Sequence, residues 1–214
     1  MNKVYVIGIG PGREDYLLPI AKKAIARSDC LIGAKRMISL FKDMSKEKIN
    51  LSCDFTKVIS FIKENKDKKI ISVLVSGDPG LYSFLGQIEK SLKKNEYLVI
   101  PGVSALQMSF AKIGEAWQDA KVISLHGRKV DNLAQEIEIH SKVFLFTDLE
   151  FPPEKIASYL LKKGLENRRA VVFENLSYPD EKIIDTNLKD LTKQKGFKLC
   201  VMIIKKEQNS TESA

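Results

Sequence analysis

The chain has 214 residues, 44% of them hydrophobic and 29% charged, and a net charge of +8. That length allows one large or two small domains, with a core that needs no disulfide or metal staple. No apolar run approaches a membrane span and the first residues carry no leader-like pattern, so a cytoplasmic protein without membrane attachment is expected.

Strand and helix periods alternate along the first half. Val4–Ile9 reads as a strand, followed by a Gly/Pro loop and a helix over Pro19–Arg27. Cys30–Ile32 is a short strand and Thr56–Glu64 a helix, with Val58, Ile59 and Ile62 at helical spacing. Ile70–Val75 is a buried-type strand, Leu81–Lys93 a helix, Tyr97–Ile100 a strand and Ser104–Ile113 a helix. This alternation predicts a largely parallel sheet.

A break falls over 114–119, and a second set follows. Lys121–Leu125 is a strand, Leu133–Ile139 a helix, Val143–Phe146 a strand and Pro153–Lys163 a helix. Ala170–Phe173, Lys182–Asp185 and Leu199–Ile204 read as strands, with a short helix near Leu188–Lys193. Their spacing allows an antiparallel hairpin. The expectation is two α/β domains, residues 1–114 and 115–205, with a cleft between them. The polar tail 206–214 is expected to be disordered.

Cys30, Cys53 and Cys200 are far apart, with no C-x-x-C, and the histidines are only His126 and His140. No metal site is expected, and the thiols read as buried and unpaired. The positive charge suits an anionic partner: RNA, a phosphate or a polycarboxylate. The lysines, however, lie in mixed runs such as 42–48 and 63–69, which read as solvated helix ends and loops. No basic stripe interleaved with aromatics supports a nucleic-acid partner.

The chemistry-bearing residues gather at strand ends, where α/β proteins place ligands. The first loop is Gly8-Ile9-Gly10-Pro11-Gly12. It is not a dinucleotide fingerprint: Arg13 stands where a glycine is needed, and Pro11 removes an N–H. The second is Ser76-Gly77-Asp78-Pro79-Gly80, with Asp78 at its crest; taken alone it equally suits an ordinary turn. The third, Pro101–Ala105, opens a helix on Ser104, for which capping alone is a sufficient account. The fourth, Leu125–Lys129, sets His126, Arg128 and Lys129 around Gly127, suiting either an anion or a surface turn. Phe146-Thr147-Asp148 and Glu174–Ser177 complete the set.

These loops, in this order, resemble the tetrapyrrole methyltransferases. The matching pieces are GIGPG at 8–12, SGDPGLY at 76–82, PGVSA at 101–105 and ENLSYPDE at 174–181, and the similarity covers residues 3–204. GAKRM at 33–37 and WQDAKVISLHGR at 117–128 are similar to the branch that methylates C5 of cobalt-precorrin-7 in cobalamin biosynthesis. The resemblance implies two α/β domains with S-adenosylmethionine held in a cleft, largely by backbone groups. By position it implies Pro11, Gly77, Asp78, Pro79, Tyr82, Ser104, Ala105, Phe146, Thr147 and Leu176 as cofactor contacts. The substrate would be a corrin precursor, its rim carboxylates met by Arg13, Lys35, Arg36, His126 and Arg128. No residue is carried over as catalytic. A homodimer is implied, as is a separate C15-methylating, decarboxylating subunit for which this chain has no room.

One departure is Leu18, where family members often have a Thr before the first helix's proline; the helix is then weakly capped or starts earlier. Three other functions remain open at this level. One is a tetrapyrrole methylase acting at a different carbon. A second is a ribosomal RNA ribose methyltransferase of the same fold, against which the GIGPG loop argues. The third is a non-enzymatic binding module, against which the full set of loops argues.

Overall fold

The computed structural model describes residues 4–51, 54–127 and 130–207. The chain forms two compact α/β units that divide between Ala105 and Leu106.

The first unit carries β1 (Val4–Gly8), β2 (Cys30–Gly33), β3 (Glu47–Asn50), β4 (Ile71–Val75) and β5 (Tyr97–Ile100). All pair in parallel, in the order β3-β2-β4-β1-β5. β4 reads ISVLV and is buried throughout, and β1 is nearly so. A strand covered on both faces has no need of polar alternation. One face sets Val4, Val6, Val73 and Val75 with Val58 and Ile62 of α3 (Phe55–Asn65) and Ile88 of α4 (Leu85–Ser91). The other sets Ile7, Leu31 and Leu74 with Ala21, Ala24 and Ile25 of α1 (Pro19–Arg27). Because every strand is parallel, the loops leaving Gly8, Gly33, Val75 and Ile100 emerge at one edge of the sheet.

Two elements of this unit have no signature in the sequence. β3 lies in the lysine-rich run that reads as a solvated loop. It is a polar edge strand, anchored by Lys46, which donates to the carbonyls of Ala26 and Ser28, and by the Lys69–Glu47 ion pair at 2.6 Å. The helix α2 (Lys35–Ser39) is too short to show a period. α1 starts at Pro19, with Leu18 extended and no side-chain cap, so the departure at Leu18 is a bare cap rather than an earlier start. α4 begins at Leu85 rather than Leu81, because Tyr82 takes φ 51° and the Ser83 hydroxyl accepts the Leu85 N–H at 3.0 Å.

The second unit carries α5 (Ala105–Ile113), whose first residue lies at the division, then β6 (Lys121–Ser124), α6 (Leu133–Ile139), β7 (Lys142–Phe146) and α7 (Pro153–Lys162). β8 (Arg168–Glu174), β9 (Lys182–Asn187), α8 (Leu188–Leu191) and β10 (Cys200–Lys206) complete it. The sheet order is β6-β7-β10-β8-β9. β6 and β7 are parallel, the other pairs antiparallel, and β8–β9 is the hairpin that the spacing allows. The 114–119 segment stays with this unit because it is pinned there. Glu115 pairs with Lys205, and Lys142 reaches Glu115, Asp119 and the Ala116 carbonyl. Lys206, expected in the tail, closes β10 opposite Arg168; residues 208–214 lie outside the described residues. No helix among the described residues is long and apolar enough to cross a membrane.

Arg168 is 5% exposed, and its guanidinium donates to the carbonyls of Glu138 (2.8 Å) and His140 (3.2 Å), closing the end of α6. Arg168→Ala strands these acceptors. It is expected to lower unfolding free energy by about 2–3 kcal/mol, read as a shift in denaturant midpoint at constant slope.

Candidate functional site

At the carboxyl edge of the first sheet, three loops are laced together by their backbones. β1 and β4 pair beyond their ends: Ile9 N–H donates to Val75 O (3.0 Å), and Gly77 N–H to Gly10 O (2.9 Å). The Asp78 carboxylate spans the crest. One oxygen accepts the Gly80 N–H at 2.8 Å, the other the Gly102 N–H at 3.0 Å. Asp78 thus ties the loop after β4 to the loop after β5. The approach is very close. A Cβ added to Gly102 would lie 2.3 Å from Gly77 O, and one added to Gly8 would lie 2.5 Å from the same oxygen. Gly77 itself has φ +68° but ordinary space: a Cβ there would come no nearer than 3.5 Å, to Ser104 Cα. Pro11, Gly77, Pro79 and Ser104 are buried, Ala105 is half-buried and Tyr82 exposed. All seven first-unit cofactor candidates therefore sit on these adjoining loops.

The first-unit cations follow along the same edge. Arg36, on α2 after β2, points one guanidinium nitrogen at the Ser76 hydroxyl, at 3.4 Å. Lys35 precedes it and is exposed. Arg13 leaves the first loop and pairs with Asp15 at 3.0 Å on the surface.

In the second unit, Phe146, Thr147 and Leu176 share one end of the sheet, where Phe146 faces Val201 and Glu174 faces Cys200. Thr147 is buried, and its hydroxyl donates to the Cys200 carbonyl at 2.7 Å, so its side chain is committed to the fold. Burial pushes the Cys200 thiol up to about 11 and the Cys30 thiol up to about 12, which makes both inert at neutral pH. Both are free and buried, while Cys53 lies outside the described residues. His126 is exposed at the same sheet end, in the turn before Gly127. Asp148 shapes that turn: one oxygen accepts the N–H groups of Glu150 and Phe151, the other that of Gly127 at 3.3 Å. Arg128 lies outside the described residues.

Sequence reasoning missed Gly8 and Gly102 as the points of tightest packing. Both stand inside the motifs it quoted, but nothing along a chain says which glycines will face each other. It also missed the support of the 174–181 loop. Asn175 (φ 49°) and Ser177 (φ 72°) flank the buried Leu176. Glu181 accepts the Ser177 N–H at 2.6 Å and pairs with Lys112 of α5 at 2.6 Å. Burial pushes the Glu181 carboxyl up, but the Lys112 ammonium and the Ser177 N–H outweigh it, and the group titrates below its ordinary 4.5. Among the described residues, the only non-glycine positions with positive φ are Tyr82, Asn175 and Ser177, all in candidate loops. Such strain concentrates where structure serves a ligand.

The chain is similar to proteins of known family and fold. Residues 3–192 match the profile of the family described as Tetrapyrrole (Corrin/Porphyrin) Methylases. The cobalt-precorrin-7 C(5)-methyltransferase of Salmonella typhimurium is 34% identical over 178 residues, 83% of this chain and 87% of that protein. A "Probable cobalt-precorrin-7 C(5)-methyltransferase" of Methanocaldococcus jannaschii is 34% identical over 195 residues, 88% of this chain and 90% of that one. The fold is also that of uroporphyrin-III C-methyltransferase from Thermus thermophilus, solved with S-adenosyl homocysteine. Its TM-score is 0.78 at 18% identity, covering 95% of this chain and 92% of that one.

The glycine geometry separates two substitutions. Gly102→Ala drives a methyl into backbone and is expected to cost about 3 kcal/mol or more. Gly77→Ala meets only the positive φ, at about 1–2 kcal/mol. Denaturant titration of both variants checks the order; an equal or reversed cost would contradict the packing. For Glu181 the folded pKa is depressed. Its stabilisation is complete above 4.5 and disappears as pH falls through the lower folded value. The stability gap between wild type and Glu181→Gln should therefore close at pH well below 4.5, measured by unfolding at several pH values.

Proposed function

The chain belongs to the tetrapyrrole methylase family, and we propose that within it the protein methylates C5 of a cobalt-precorrin-7-type corrin precursor, with S-adenosylmethionine as methyl donor. The observation that carries the reading is the 34% identity, over most of both chains, with proteins named for that reaction. The geometry supports it. A sulfonium donor needs alignment and exclusion of water more than an acid, a base or a metal.

The residues suit such a donor. The first unit's loops offer backbone groups, and the one carboxylate at their crest is already engaged by two N–H groups. In the first unit Pro11, Gly77, Asp78, Pro79, Tyr82, Ser104 and Ala105 would hold the donor. In the second, Phe146, Thr147 and Leu176 would do so, Thr147 through its backbone. When bound, the donor supplies an electrophilic methyl whose bond to sulfur breaks with the electron pair left on sulfur. The macrocycle's π-system supplies the pair for the new carbon–carbon bond, so no strong base is required of the protein. Pro11 and Pro79 are buried and apolar, and in this reading they would limit water at the donor.

Arg13, Lys35 and Arg36 of the first unit, and His126 and Arg128 of the second, are proposed to meet the rim carboxylates of the macrocycle. Arg36 has the strongest support, because it stands beside Ser76 at the head of a donor loop. A cytoplasmic homodimer and a separate C15-decarboxylating partner belong to the same proposal.

The test is anaerobic incubation with S-adenosylmethionine and cobalt-precorrin-7, followed by mass measurement and carbon NMR with a labelled methyl. One added methyl at C5 is expected. A methyl at another ring carbon, or none, overturns the assignment; transfer to ribosomal RNA instead would move the protein to a different substrate class.

A further inference from the structure

The loop that presents Leu176 is held by side chains that make no donor contact in the reading above. Leu176 sits between two non-glycine residues in the left-handed region, Asn175 and Ser177. A turn of that kind does not persist unless its surroundings over-determine it. Each strained residue has its own clamp. Asn175 donates its side-chain amide to Asp180 at 2.7 Å, and its backbone N–H to Leu199 O at 2.8 Å. Ser177, which is buried, gives its backbone N–H to a Glu181 oxygen at 2.6 Å. The other Glu181 oxygen takes the Lys112 ammonium, also at 2.6 Å. The Glu181 side chain is 16% exposed, so its bond to Ser177 is partly shielded from competing water, while Lys112, at 35%, meets the carboxylate from the more open side. Lys112 lies in the last turn of α5, where a cation is favoured, and this fixes the ion pair from its far side.

We infer that Glu181, oriented by Lys112, is the positioning residue that fixes the 174–177 turn in the form that accepts the methyl donor. The inference rests on the reading that Leu176 is a donor contact. Glu181 touches no reacting atom. It acts by holding Ser177 in a conformation that the chain would otherwise leave, and so keeps Leu176 in place. Without the acceptor the Ser177 N–H would lose its Glu181 bond, and the turn would relax toward negative φ at the expense of the donor surface.

Donor affinity by calorimetry, macrocycle affinity by absorbance titration and thermal midpoint are measured on wild type and four variants: Glu181→Ala, Glu181→Gln, Lys112→Met and Arg168→Ala. Glu181→Ala is expected to weaken S-adenosylmethionine binding about tenfold or more, the penalty of one unmet buried hydrogen bond, and to leave macrocycle affinity unchanged. Glu181→Gln keeps an oxygen for Ser177 and should recover most of that loss. Lys112→Met, which frees the carboxylate, should weaken the donor by about threefold. Arg168→Ala lowers stability from a different part of the unit and should leave donor affinity at the wild-type value. If Glu181→Ala does not fold, the Gln and Met variants carry the test. Wild-type donor affinity in folded Glu181→Ala, or in both of those two variants, overturns the inference. So does a Gln variant as weak as Ala, or an Arg168→Ala loss as large as that of Glu181→Ala. Wild-type protein that fails to bind S-adenosylmethionine overturns the underlying reading, and the inference with it.

Discussion

Three backbones meet at the carboxyl edge of the first sheet at distances that no Cβ would survive. β5, β1 and β4 are neighbours in that order, and the loops leaving them must cross within one strand spacing. Gly8 and Gly102 both face the Gly77 carbonyl. With any other residue there, the loop after β5 would part from the other two and Asp78 could not reach the Gly102 N–H. The candidate site of this unit depends on that one approach.

A second regularity runs through both units. Four acidic residues at the strand ends accept from backbone N–H groups. Asp78 takes Gly80 and Gly102; Asp148 takes Gly127, Glu150 and Phe151; Glu174 takes Lys198; Glu181 takes Ser177. A loop has no ladder to satisfy its amides, and a carboxylate with two oxygens serves two of them at once. These loops hold their shape with charge while turning mostly neutral backbone toward a ligand. Methyl transfer from a sulfonium suits that economy, since it consumes a positive charge and asks for no proton.

Much of the framework was legible because buried parallel strands carry a strong signal. ISVLV and VYVIG read as strands without help, and the helix Leu133–Ile139 matches to the residue. The loops were legible as motifs, and the structure places every first-unit cofactor candidate on one sheet edge. What stayed hidden has a physical reason in each case. β3 reads EKIN because an edge strand half in water needs no apolar alternation. The first turn expected of α4 went instead to a left-handed Tyr82, which no residue-type preference announces. The hold of the second unit on residues 115–119 comes from ion pairs between Glu115 or Asp119 and lysines on β7 and β10, far along the chain. Glu181 stood inside the ENLSYPDE motif without a role of its own, since its partners are a backbone amide and a lysine from α5.

The strand order of the first sheet also has a bearing on how the protein is made. β1 leaves the ribosome before the other strands of its sheet, and it lies between β4 and β5, the last two of that sheet. Its fully buried residues Val4, Val6 and Ile7 therefore have no strand to pair with until most of the unit has been synthesised. Contacts so distant in sequence form slowly, and the waiting strand is an apolar segment open to wrong partners. The glycine crossing cannot close before Gly102 has emerged, so this candidate edge is among the last parts of the unit to take shape. A nascent chain halted before β5 would hold the bonds that join its first two loops, but Asp78 would lack the Gly102 N–H that ties in the third.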